Sequence, residues 1–539
     1  MKNKLAEYIE NRFGQLVDKR KKREKKWKEL AKYLMPDLLV GFDSGDNEDY
    51  ETPDDSRPIF YAREMADGLT AYIAPKDSRW LFYKPRDDEL MKNLEVKKWL
   101  YDATLHVLAQ LARSNFYDAL QRYTHIGVVI STTTMFVGNN PNEGKPYFKV
   151  IHPLESYISS NMHGDIDTVF RKIKIKAIDA INWFKPTGLS KEIIKAADET
   201  PNREFDFIHA VMFVDSYDKF LTKYLPAGKN YLSIYKQVGE DAIAQIGGYI
   251  TFPFGVWRYR VDSKSDYGTG PGGDALGDVK WMNQMARYIL KGQIISSDPP
   301  VNIPIELKGR VRYKPHGANY YEQQGRFVEP WKIGNIYQGA VDGYRIKDES
   351  VRNHFYIDFF MVLSNLTKRM TTVEVEERQG EKMLMLSTPI SKFLSEGLDK
   401  ILERVLEIEI EEKRLPPPPK KLLEADGKLG KGLKIDYFSV LAQLQQRVAK
   451  GGMLKQALID FSPIPQFKQD TIDLIDWDGL GRRILEYNNF PVDLVNDDKK
   501  VDAIRQARQE QQANSEMMSQ LAQILKVNKE NAGGQGNVV

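Results

Sequence analysis

A glycine-rich stretch, YGTGPGGD from Tyr267 to Asp274, is of a kind whose backbone N–H groups can cradle phosphate. A nucleotide P-loop must close on a Lys-Ser/Thr pair, which is missing, and Gly268, Gly270, Gly272 and Gly273 also fail the GxGxxG spacing. The plainer reading is a turn before a helix. The basic run KRKKREKKWK, Lys19 to Lys28, could neutralise phosphates, but on a helix it reads first as a solvated face or a subunit contact. Glu374, Glu376 and Glu377 are better read as a solvated patch or as intersubunit salt-bridge partners than as catalytic carboxylates. None of the histidines, His106, His125, His152, His163, His209, His316 and His354, forms an HExxH zinc pattern, and there is no GxSxG elbow. An enzyme reading therefore has no positive support, and no catalytic, cofactor-binding or metal-binding residue is expected.

Composition narrows the class. The 539 residues are 42% hydrophobic, 28% charged and 11% aromatic, the balance of a folded soluble chain long enough for several domains. Lys and Arg number 78 against 75 Asp and Glu, a net charge of +3, so any nucleic-acid contact must come from local charge placement. There is no cysteine, which excludes disulfides and thiolate metal sites. The opening MKNKLAEYIENRF lacks the apolar stretch of a signal peptide. No segment approaches the roughly 20 apolar residues of a membrane span, so no membrane partner is expected.

The elements that carry these residues can be read from periodicity. Residues 3 to 35 form one long helix, with Leu5, Ile9, Phe13, Leu16, Trp27, Leu30 and Leu34 among charges and Pro36 at its end. A polar loop from Asp43 to Asp55 precedes a helix near Ile59 to Ile73, and SRWLFYK enters as a strand. Helices follow over residues 90 to 123, and the β-branched run GVVISTTTMFVG, Gly127 to Gly138, reads as a strand. Short strands cover residues 147 to 175 with a turn at His163-Gly164, and more strand lies at Tyr231 to Tyr235 and Phe254 to Tyr259. This first half is mixed α+β. A helix from Asp274 to Ile295 ends at Asp298-Pro299-Pro300, and another runs from Gly339 to Met370. The pair brackets an insertion of KGRVRYK and the aromatic residues Tyr320, Tyr321, Phe327 and Trp331. The charged TTVEVEERQGEKMLM follows, then a helix opened by Pro389 and stopped at Pro416. A short helical domain is expected over residues 437 to 491 and a polar amphipathic helix over 499 to 526.

Several landmarks together resemble the head-to-tail connector, or portal, family of T7-like short-tailed bacteriophages. They begin with Ala66, Leu69 and Pro75 leading to Arg79-Trp80-Leu81-Phe82, and continue with Ser114-Asn115-Phe116-Tyr117 before Gly127. Tyr157 and HGDIDTVFRK come next, then PFGVWRYR with YGTGP, which is the more specific match. FYIDFF, Phe355 to Phe360, and TTVEVEERQGEK complete the order. Leu81 and Thr371-Thr372 depart conservatively from the family pattern, and the C-terminal region is matched less closely.

The resemblance implies an α+β portal fold with a mixed wing, a two-helix stem, a small α/β clip and a mainly helical crown, assembled as a closed ring, usually of twelve subunits. Residues 1–265 would be the N-terminal wing region, 266–295 the first stem helix, 296–338 the clip and 339–364 the second stem helix. Residues 365–425 would hold the channel loop and a wing helix, 426–498 the crown, and 499–539 a C-terminal helix, able to form a barrel, with a flexible tail. Such a subunit passes double-stranded DNA during packaging and ejection. It meets terminase, a tail adaptor, the major capsid protein and scaffolding or internal core proteins, at the portal vertex of a virion assembled in the host cytoplasm. It needs no cofactor. Lys368, Arg369, Arg378 and Lys382 are the candidates for transient phosphate contact in the channel, with intersubunit ion pairs as the alternative. Lys308, Arg310, Arg312, Lys314 and Trp331 are candidates for a clip surface facing DNA or an adaptor. The competing classes are another virion scaffold or adaptor, and a nucleic-acid-processing enzyme.

Overall fold

The computed structural model describes residues 4–41, 52–140, 142–215, 217–297, 301–302, 305, 329–330, 336–365, 385–423, 433–438, 475–481, 495–496 and 498–533. The chain divides into two compact units, Met1–Gly451 and Gly452–Val539. In chain order the first unit holds α1 (Lys4–Leu34), α2 (Arg57–Ile73), β1 (Leu81–Pro85), α3 (Leu94–Arg113), α4 (Phe116–Ile130) and β2 (Thr132–Asn140). Next come β3 (Lys145–Ile151), β4 (Ser156–Ser160), β5 (Ile166–Lys176), α5 (Ala177–Trp183), α6 (Lys191–Glu199), β6 (Glu204–Phe213), β7 (Tyr231–Gln237) and β8 (Ile243–Tyr249). The series ends with β9 (Phe254–Arg258), β10 (Arg260–Asp262), β11 (Ser265–Thr269), α7 (Pro271–Ser297), β12 (Val301–Asn302), β13 (Glu329–Pro330), α8 (Ile336–His354), α9 (Ile357–Asn365), α10 (Asp399–Glu411) and β14 (Leu433–Tyr437). The mixture of helix and sheet agrees with the α+β expectation.

Two antiparallel sheets organise this unit. The five-stranded sheet, ordered β4-β5-β6-β7-β8, is covered on both faces, and its side-chain alternation says by what. Phe170, Ile208, Ala210 and Leu232 face Leu5, Ile9 and Leu16 of α1. Ile173, Ile175, Phe205 and Phe207 face Ala180, Ile193 and Ala196 of α5 and α6. The three-stranded sheet β3-β2-β9 lies in the main core, with the second half of α1, α2, α3, α4 and α10. A separate ribbon pairs β1 with β14, Leu81 opposite Tyr437, and so ties chain segments some 350 residues apart.

The sequence expectations hold closely for α1, α2, β1 and α7. Elsewhere the structure corrects them. Gly127 to Ile130 belong to α4, the chain turns at Ser131 with φ 69°, and the strand starts only at Thr132. Tertiary packing overrides the β-branched composition there, because Tyr123 and Gly127 on α4 must meet Trp257. The helix expected from Gly339 is broken at Phe355-Tyr356, with Tyr356 at φ 53°, and resumes as α9. The helix expected to open at Pro389 is already helical at residue 385 and contains a π-helical turn, Phe393–Leu398. Tyr437 ends a strand rather than opening a helical domain. Helices α5 and α6 and strand β6 are additions that the sequence reading does not contain.

In the second unit, residues 477–481 are helical and a long helix spans Asp498–Gly533, longer at both ends than the expected 499–526. A two-pronged ion pair, Arg505 to Asp478 at 2.7 Å, joins them.

Candidate functional site

Helices α7 and α8 pack side by side, and the short antiparallel pairing of β12 with β13 closes the base of the segment between them. Trp281 of α7 lies beside Gly343 of α8, where a would-be Cβ would stand in ordinary contact, 3.4 Å from the indole. Asp278 takes Lys347 at 2.7 Å and Ser350 at 2.8 Å across the pair. The segment before α2 clamps the same two helices. Asp54 bonds Arg287, Asp55 accepts from the Tyr344 hydroxyl, and Arg57 lies 4.2 Å over the Tyr344 ring. Burial first, and then the bond to Asp55, raises the Tyr344 hydroxyl above its ordinary range, so it remains a donor.

Beyond this clamp α7 carries exposed apolar side chains: Tyr288 and Ile295 lie on one flank, and Leu290 and Ile294, 57% and 58% exposed, lie on its back. On α8, Ile346, between Tyr344 and the core, is exposed as well. Apolar side chains on separate faces of one helix pair are what a helix needs when neighbours pack against it from more than one side.

The other end of α8 leads into α9, whose Phe360 fills the notch at Gly68 of α2: a Cβ there would stand 2.4 Å from Phe360 Cδ1. Across residues 366–384 the chain returns in the helix that carries the π turn. Here Arg258, the last residue of the fully buried strand β9, grips Glu396 with a fork, Nε at 3.0 Å and Nη2 at 2.7 Å. Arg258 Nη2 also donates to the Gly164 carbonyl at 2.7 Å, and Lys392 reaches Glu396 at 2.9 Å. One turn on, the Tyr437 hydroxyl donates to Asp399 at 2.6 Å. Burial, with Glu403 adding to it, pushes Asp399 up to about 6.

The nine charged or aromatic residues singled out from sequence all fall outside the described residues: Lys308, Arg310, Arg312, Lys314 and Trp331 in one stretch, and Lys368, Arg369, Arg378 and Lys382 in the other. The structure describes the elements that flank these stretches. It also resolves the basic run of α1. Arg20 is buried, donating to the Pro153 and Ser156 carbonyls and, at 2.8 Å, to the Tyr157 hydroxyl. Arg23 pairs with Asp262 at 2.6 Å and Lys19 with Asp266 at 3.2 Å. Lys21, Lys22 and Lys25 stay exposed. Part of the run is thus an internal staple between α1 and the β10–β11 ribbon.

The glycine cluster is likewise structural. A Cβ on Gly268 would meet the Ser131 carbonyl at 2.4 Å, and one on Gly272 would meet the Val129 carbonyl at 2.4 Å. The histidines that pack inside are kept neutral: burial lowers His125 to about 4, and burial followed by the Arg171 charge lowers His209. Arg171 donates to His209 Nδ1 at 2.8 Å, so the imidazole carries its proton on Nε2, toward Ser233 at 3.0 Å. Among the described residues no cluster of three potential metal ligands occurs, and no described helix is long and apolar enough to cross a membrane.

Sequence reasoning placed Arg258 among the landmarks without a partner and missed Glu396, Asp55 and Tyr344. An arginine inside FGVWR, otherwise wholly apolar, was the available signal, since a buried guanidinium must be paired. The family described as bacteriophage head to tail connecting protein matches residues 6–495. A probable portal protein of Bordetella phage BPP-1 is 24% identical over 546 residues, covering 98% of this chain and 95% of the relative. The portal protein of Salmonella phage epsilon15 is 24% identical over 539 residues, covering 96% of this chain and 94% of that protein.

Proposed function

Because the chain belongs to the bacteriophage head to tail connecting protein family, we propose that it works as one subunit of a closed ring, a dodecamer, through which the genome passes during packaging and ejection. The observation that carries the reading is the α7–α8 pair, clamped by Asp55 at one end, bracketing an insertion at the other, and apolar on more than one outer face. In a ring each subunit meets two neighbours through two different patches, and a helix pair with apolar side chains on separate faces suits that requirement. In this reading α7 and α8 are the stem and residues 296–338 the clip. Residues 1–265 are the main wing, 365–425 the channel loop and wing helix, 426–498 the crown, and the helix Asp498–Gly533 an element of an internal barrel.

The work is mechanical and electrostatic. Rotational symmetry repeats every side chain around the axis, so a few local cations become a ring of charge although the chain is nearly neutral overall. DNA must slide, which favours phosphate contact without base readout. Lys368, Arg369, Arg378 and Lys382 are the residues proposed to meet it, with Glu374, Glu376, Glu377 and Glu381 keeping the passage from binding tightly. Lys308, Arg310, Arg312, Lys314 and Trp331 are proposed to face DNA or a tail adaptor at the clip, where terminase would dock during packaging. Contacts with the major capsid protein and with scaffolding or internal core proteins, at a vertex assembled in the host cytoplasm, complete the proposal.

Cryo-electron microscopy of the purified full-length chain tests it. A closed ring with α7 and α8 around the channel is expected; a monomer or compact dimer at every concentration overturns the reading.

A further inference from the structure

We infer that the π-helical turn Phe393–Leu398 is a register switch, and that Arg258 and Glu396 are the positioning residues that hold it in the register observed. A π turn contains one residue more than the α turn it replaces, and such turns cluster at functional positions. On its far side the helix is fixed to the core. Ile401, Leu402 and Val405 are buried there, the Tyr83 hydroxyl donates to the Leu402 carbonyl at 3.0 Å, and Tyr437 holds Asp399. If the π turn relaxed to α, the fixed end would stay and residues 385–392 would move outward by about 1.5 Å and rotate by about 100°.

Each residue of the leading segment would then occupy its predecessor's place. Ser391 would enter the site of Ile390, Ser387 that of Leu386, and Leu394 that of Phe393. In these three the newcomer is the smaller residue, whereas Ile390 would have to enter the buried site of Pro389 and Leu386 would pass to the exposed site of Met385, so the core resists the move. The ion pair opposes it further. Glu396 lies within the π turn, so a change of register carries its carboxylate off a guanidinium that is itself buried; Arg258 is left with only the Gly164 carbonyl, while Glu396 keeps Lys392. Gly397 adds a second constraint specific to this register, since a Cβ there would stand 2.8 Å from the Tyr123 hydroxyl. The moving segment leads directly from residues 366–384. A register change would therefore reposition the stretch carrying Lys368, Arg369, Arg378 and Lys382, a consequence that rests on the portal reading although the switch itself does not.

The chain has no cysteine, so the thiol introduced by Ser391→Cys reports the register through its rate of maleimide labelling. Residue 391 is exposed in the observed register, whereas the site it would enter, that of Ile390, is 1% exposed. In the assembled full-length protein, adding Glu396→Gln is expected to slow labelling at 391 by about threefold or more, as the buried state gains population. A reference thiol from Lys25→Cys keeps its rate. Mere loosening of the helix would instead speed labelling at 391, so a faster or unchanged rate overturns the inference. Arg258→Lys, which keeps the charge but loses the fork, is read in the same way. Failure of both variants to assemble also overturns it, since the pair would then serve folding rather than register. A ring with unchanged labelling rejects the switch and leaves the portal reading standing.

Discussion

The indole of Trp257 on β9 rests against the backbone of α4 at Gly127, where a Cβ would stand 2.2 Å from its Cζ3. The contact explains why α4 runs on through a β-branched segment, and it sets a sharp limit on substitution. Gly127→Ala is expected to lower the apparent unfolding free energy by about 1–3 kcal/mol, the cost of overpacking a filled core. Gly14 of α1 has nothing within 4 Å of a would-be Cβ, so Gly14→Ala should raise stability by about 0.5–1 kcal/mol through helix propensity alone. Urea unfolding of both variants beside the parent measures the contrast. Equal shifts would mean that the close approach of Trp257 does not matter.

Lys236 is a fully buried ammonium that bonds Glu10 of α1 at 2.6 Å and the carbonyls of Gln237 and Glu240. Glu10→Ala removes the counter-charge and leaves the carbonyls, so a loss of about 1–3 kcal/mol is expected. Lys236→Met with Glu10→Ala should recover part of it, because an apolar side chain needs no partner. Denaturant midpoints of the single and double variants decide it: a double variant no better than Glu10→Ala would show that the ammonium is not the source of the loss.

Elements with strong local periodicity were legible from sequence. α1 declares itself through apolar residues at helical spacing, and α7 through the same spacing from Ala275 to Ile289 and the Asp298-Pro299-Pro300 stop, although it begins at Pro271, three residues before the expected Asp274. The sequence is silent where a residue's role comes from a distant partner. Arg258 and Glu396 are 138 positions apart, and β1 and β14 pair across most of the chain. The π turn leaves no composition signal, since Phe393 to Leu398 reads as ordinary amphipathic helix. The basic run shows the same limit: spacing marks a helix face, but only the fold decides that Arg20 points inward while Lys21 does not.

Acid should act on two buried groups in opposite senses. His125 is held neutral with its pKa lowered to about 4 from 6.5, so its contribution is present above pH 6.5 and is lost as pH falls toward 4, about 3 kcal/mol in all. Asp399, raised from 3.8 to about 6, costs stability when ionised above pH 6 and gives that cost back, again about 3 kcal/mol, as pH falls toward 3.8. Asp399→Asn should therefore raise the unfolding midpoint at pH 7.5 and make the variant's stability fall more steeply between pH 6 and 4. Parallel pH profiles for parent and variant would rule out a raised Asp399.

Leu290 and Ile294 stand on the back of α7, both more than half exposed in the single chain. A double change, Leu290→Asp with Ile294→Asp, should alter the stability of the isolated chain by no more than about 0.5 kcal/mol, as surface substitutions do. In a ring each subunit would bury two such charges against its neighbour, and assembly should fail or need far higher protein concentration. Light scattering gives the mass and circular dichroism the fold. A full-size ring at the parent's concentration would place the back of α7 outside the subunit contact.

The basic run of α1 offers a direct choice between an anchor and a phosphate-binding face. Arg20→Gln deprives the Pro153 and Ser156 carbonyls and the Tyr157 hydroxyl of a charged donor inside the core, and should cost about 2 kcal/mol or more. Changing the exposed Lys21, Lys22 and Lys25 together to Gln should leave unfolding within about 0.5 kcal/mol of the parent, because nothing in the core depends on them. For a solvated face the salt dependence of DNA binding is also unchanged, whereas loss of three phosphate contacts would reduce the log–log slope by about 2.7. DNA affinity measured at several salt concentrations therefore separates the two roles. The expected result is a stability loss confined to Arg20 and an unaltered slope for the triple variant, since the residues of the run that the fold puts to use point toward the protein rather than away from it.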